Sequence, residues 1–117
     1  MIKKVFISFG YAKQGLLTVW KEEYNFRIEV IFTLLILGIM YYFNFSLLEF
    51  IICIIAMTFI LSAEIVNTAI EDVCNKIEPN RDPVIGKIKD TMAGFVFITV
   101  ISGLTIGFLV FYNHFLL

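Results

Sequence analysis

From Met92 to Tyr112 the chain runs through about 21 residues without a charged side chain, the length an α-helix needs to cross the roughly 30 Å of a bilayer's hydrocarbon. A helix that is apolar all round needs apolar surroundings on every side, which a water-soluble domain of 117 residues cannot supply. Two more runs make the same demand. Val30 to Phe43 is uncharged and reaches about 20 residues when counted from Phe26 to Phe45, and a further span begins at Leu47 and runs to about Ala63. Hydrophobic residues make up 60% of the chain and charged ones 16%, where a soluble domain is about half apolar or less. The expected fold is one all-α membrane domain with three spans. A net charge of −1 and the single histidine, His114, give no footing for nucleic acid.

Ahead of the spans, Ile2, Val5, Phe6, Phe9, Leu16, Leu17 and Trp20 alternate with Lys3, Lys4, Lys13, Gln14 and Lys21. This is the pattern of an amphipathic helix in the membrane interface over about residues 1–22, with Gly10 and Gly15 as candidate bends or close approaches. The start resembles a signal peptide, but Gly10 and Lys13 interrupt the apolar run, so the N-terminus is expected to be retained. The spans are placed at about 26–45, 47–66 with the helix continuing to 77, and 92–112. A helix from Leu47 to Ile77 is about 46 Å long, so its polar end must leave the hydrocarbon. Cys53 and Cys74, about six turns apart on that helix, are out of disulfide reach within the chain. All nine Lys and Arg precede the first span or lie between the second and third. That side is therefore expected to be cytoplasmic, with the N-terminus inside and the C-terminus outside.

The polar end of the second span carries the chemistry. Glu64, Asn67, Thr68, Glu71 and Asn75 recur at steps of three, four and seven, so they share one helix face. Glu64 borders an uncharged run, where an ionisable group is costly without a partner or a function. Trp20 to Glu29 places Glu22, Glu23 and Glu29 beside hydrocarbon at the same interface, and an aromatic belt accounts only for Trp20, Tyr24 and Arg27. Carboxylates gathered this closely repel unless a cation joins them, and Mg²⁺ bound with a phosphate-bearing substrate suits such a set. Lys89 offers a point charge for phosphate. A poorly solvated carboxylate can take a proton from a hydroxyl, a role that best fits Glu64. The implied reaction is phosphoryl transfer from a nucleotide to a membrane alcohol. No P-loop or protein-kinase motif is present.

Glu64-Ile65-Val66-Asn67-Thr68-Ala69-Ile70-Glu71, with Lys89-Asp90 after the loop and Glu23 and Phe26-Arg27 before the first span, closely resembles the prokaryotic diacylglycerol kinase family. These are small trimeric integral-membrane enzymes that include undecaprenol kinases, and the likeness covers nearly the whole chain. It implies a homotrimer in a bacterial cytoplasmic membrane, with ATP and Mg²⁺. It assigns Glu64 as catalytic base supported by Asn67, and Glu23 and Glu71 as holders of metal and ATP. Lys89 and Asp90 would meet the nucleotide, joined by Lys4 and Tyr11 from the surface helix. Trp20, Arg27, Glu29 and Glu64 would meet the lipid. Asn75 stands where the family usually has aspartate. Arg27-Ile28-Glu29 resembles the diacylglycerol branch, since undecaprenol kinases commonly carry histidine at the position of Glu29, whereas Asn25 resembles the undecaprenol branch.

Plainer readings stand beside these. Glu64 and Glu71 could form a structural seam between helices, or an ion relay in a small transport subunit. Glu49 and His114 read as solvated ends on the far side, and the phenylalanines of the third span as packing or lipid-facing residues.

Overall fold

The computed structural model describes residues 1–117 and contains four helices and no strand: α1 Ile2–Glu22, α2 Tyr24–Tyr42, α3 Leu47–Ile77 and α4 Pro83–Leu116. The last three are long and apolar enough to cross a membrane. The main contact is α3 against α4, α2 lies along α3, and α1 meets the rest mainly through α2. Only 12 of 117 residues are buried, and the molecule is a slab of 52 × 42 × 22 Å. So little interior cannot hold three apolar helices together in water, and their outer faces require lipid or further protein.

The element ends follow local chemistry. α2 stops at Tyr42, three residues short of the Phe45 expected from composition. Asn44 adopts a left-handed φ of 57°, Phe45 N–H bonds Met40 O at 3.0 Å and Asn44 N–H bonds Tyr41 O at 3.2 Å. These two bonds make a Schellman cap, which asparagine tolerates better than most residues and which hydropathy does not register. Its apolar contact is formed by Phe45 and Met40, which are buried in a cluster with Cys53 and Val110. Ser46 then caps α3: its Oγ accepts from Glu49 N–H at 3.2 Å, and Glu49 Oε1 accepts from Ser46 N–H at 2.7 Å, a reciprocal box satisfying two free donors. At α4, Asp82 Oδ1 accepts from the N–H groups of Val84 and Ile85 at 2.9 and 3.0 Å, with Pro83 in the first helical position.

Three sequence expectations change. α1 runs unbroken through Gly10 and Gly15, and nothing lies within 4 Å of a Cβ built at either. The close approach falls at Gly103 instead, where a Cβ would stand 2.5 Å from Ile60 Cδ1, so α3 and α4 pack closely through the missing side chain. Glu49 and His114 are not solvated ends. His114 Nδ1 lies 3.2 Å from Glu49 Oε1 and Nε2 lies 3.0 Å from Phe43 O, with the ring stacked on Phe45 at 3.8 Å. This knot ties the end of α4 to the turn between α2 and α3.

Candidate active site

The polar face of α3 is turned inward where the sequence placed it. Glu64 is 4% exposed and Thr68 5%, while Asn67 and Glu71 are half-buried and Asp72 is exposed. Thr68 Oγ donates to Glu64 O at 2.9 Å, satisfying its hydroxyl within the helix. Asn67 Nδ2 donates to Glu71 Oε1 at 3.4 Å, a long bond that fixes the direction of the carboxylate more than it adds stability.

Glu29 of α2 faces Glu64 of α3 within hydrogen-bonding reach, and the charges of Glu23 and Glu71 also act on Glu64. Carboxyl groups from the α1–α2 junction, α2 and α3 thus lie in the same region, with Glu29 and Glu64 the pair in reach of each other. Glu29 Oε2 is buried and has no hydrogen-bond partner. An acceptor left this way costs about 1–3 kcal/mol until a donor reaches it.

Glu29 also lines a half-open groove of about 420 Å³ that is otherwise almost wholly apolar. Ile36 of α2, Met57 and Ile60 of α3, and Gly103 and Gly107 of α4 form its floor and walls, with exposed Phe32 and Phe108 at the rim. A channel of hydrocarbon thus ends at a carboxyl with an unmatched oxygen.

The remaining candidates are less gathered. Glu23 is half-buried at the break between α1 and α2. Arg27 stacks over Tyr24 at 5.7 Å, and Trp20 is 38% exposed. Lys89 Nζ donates to Asn75 Oδ1 at 2.8 Å, bringing α4 to the row of Glu64 and Glu71; this contact over 14 residues had no signal in the sequence. Asp90, Lys4 and Tyr11 are exposed and make no side-chain hydrogen bond. No three Asp, Glu, His or Cys side chains meet at metal-ligating spacing. Mg²⁺ asks for less, one or two carboxylates together with phosphate oxygens and water, and Glu23 and Glu71 are carboxylates of that type.

Apolar helices with facing carboxyls at the end of a hydrocarbon groove suit an amphiphile with a polar head. The profile of the family described as prokaryotic diacylglycerol kinase matches residues 10–111. The chain is 28% identical to the diacylglycerol kinase of Haemophilus influenzae over 90% of each chain. It is 27% identical to the undecaprenol kinase of Bacillus subtilis, over 94% of this chain and 89% of that one. The diacylglycerol kinase of Escherichia coli is 26% identical, over 96% of this chain and 92% of its own. The chain belongs to the prokaryotic diacylglycerol kinase family.

Proposed function

We propose that this protein transfers the γ-phosphoryl group of ATP to the free hydroxyl of diacylglycerol, giving phosphatidic acid, at the cytoplasmic surface of a bacterial membrane. The observation that carries this reading is the Glu29 carboxyl at the polar end of an apolar groove, with Glu64 within reach of it. Acyl chains would occupy the groove, with Trp20 and Arg27 at its interfacial end. The glycerol hydroxyl would donate its one hydrogen to Glu64, with the Glu29 carboxyl beside it at the head-group end of the groove. Glu64 takes the hydroxyl proton as that oxygen bonds to the γ-phosphorus and the bond from phosphorus to the departing ADP oxygen breaks. Asn67 holds the direction of Glu71, and Glu23 and Glu71 would hold Mg²⁺ with the nucleotide. The ion, when bound, neutralises phosphate charge. Lys89 and Asp90 meet the nucleotide from α4, and Lys4 and Tyr11 from α1, which lies as an amphipathic helix on the inner membrane surface. Three copies would complete the enclosure that a slab 22 Å thick cannot form alone.

One comparison brings in a second lipid: the undecaprenol kinase relative is 27% identical, nearly level with the 28% of a diacylglycerol kinase. Purified protein in detergent with Mg-ATP and either diacylglycerol or undecaprenol decides between them. Phosphatidic acid is expected. Product from undecaprenol alone would overturn the substrate, and product from neither lipid, with metal-dependent ion flux in vesicles, would overturn the kinase.

A further inference from the structure

Of the nine Lys and Arg side chains, Lys89 is the one whose head group is held by a hydrogen bond, to Asn75 Oδ1 at 2.8 Å. The sole ion pair in the chain is His114 with Glu49, at the opposite end. Along α4 itself, the positions three and four residues from Lys89 are Ile85, Gly86, Met92 and Ala93, none of which can hold an ammonium. A lysine side chain has about 2 kcal/mol of rotamer entropy to lose when it is fixed. Without an acceptor from another helix, Lys89 would sweep a wide volume.

Asn75 provides that acceptor from one turn beyond Glu71, and Asn67, one turn before it, donates to Glu71. Two amides on one face of α3 thus bond an anion and a cation, and neither amide cancels a charge. Holding Lys89 is the only contact that accounts for Asn75, which is exposed and packs on no core. We propose that Asn75 is a positioning residue for the nucleotide, its side-chain oxygen aiming the Lys89 ammonium at the phosphate groups of ATP. The proposal rests on the nucleotide-binding role given to Lys89 above.

Steady-state kinetics on the detergent-purified protein test it, with the unaltered protein assayed first. Asn75→Ala is expected to raise KM for Mg-ATP about 3- to 10-fold, the effect of losing one hydrogen bond, with kcat and KM for lipid within about twofold. Asn75→Asp keeps an oxygen in place and adds only a screened charge at an exposed site, so its KM for Mg-ATP should stay within about twofold of the unaltered protein. In a Lys89→Ala background, Asn75→Ala should have no further effect on KM, since the group it aims is gone. An unchanged KM in Asn75→Ala, failure of Asn75→Asp to rescue, or additive losses in the double variant would each overturn the positioning role and leave the kinase reading intact. An unaltered protein that phosphorylates no lipid would overturn both.

Discussion

Glu64 and Glu71 lie two turns apart on one helix face, yet their surroundings differ, and the proposed mechanism gives them different work. Glu64 is buried against Glu29, whereas Glu71 is half-buried and takes a hydrogen bond from Asn67. Glu64→Gln keeps the shape and removes the proposed base, so turnover should fall about 10²- to 10⁴-fold while Mg-ATP binding persists. Glu71→Gln should do the opposite, weakening Mg-ATP binding before it slows the chemistry. Nucleotide titration beside initial rates separates the two, and equal losses in both variants would remove the division of roles. The α3 row was legible in the sequence because helical spacing alone sets which residues share a face. Glu29 meeting Glu64, and Lys89 meeting Asn75, depend on how α2 and α4 rotate against α3, which no spacing within one helix encodes.

The order of the helices and the extent of α3 were legible for the same reason, since length and charge decide what can cross a bilayer, whereas α4 runs from Pro83 to Leu116, beyond the 92–112 expected at both ends. Their ends were partly hidden. Pro83 after Asp82 announces the start of α4, but Asn44 closes α2 through two backbone bonds inside an apolar run. Glu49 and His114 show the same limit, since each reads as a polar terminus until α4 returns to the α2–α3 turn. Ser46→Ala removes one cap and should cost about 1 kcal/mol. His114→Ala releases the stack on Phe45 and contacts to two other segments, so it should lower the thermal midpoint more than Ser46→Ala does, as scanned in detergent. The groove gives an element-level test of a different kind. Gly107 lines it with nothing within 4 Å of a built Cβ, so Gly107→Phe should fill space meant for an acyl chain. The KM for lipid should rise several-fold and that for Mg-ATP should not move; equal changes in both would mean the groove does not take the lipid.

With 12 of 117 residues buried, the molecule is a surface more than a volume, and most of its apolar contacts must be made with whatever surrounds it. The half-open groove between α2, α3 and α4, rimmed by exposed Phe32 and Phe108, faces sideways toward that surrounding. The proposed lipid substrate would then have no need to pass through water: it would arrive by lateral diffusion in two dimensions, and its effective concentration would be its mole fraction among neighbouring lipids. Diluting the substrate with an inert detergent, at constant bulk concentration, should slow the enzyme in step with the falling fraction. A rate that followed the bulk amount instead would place the entrance on the aqueous side.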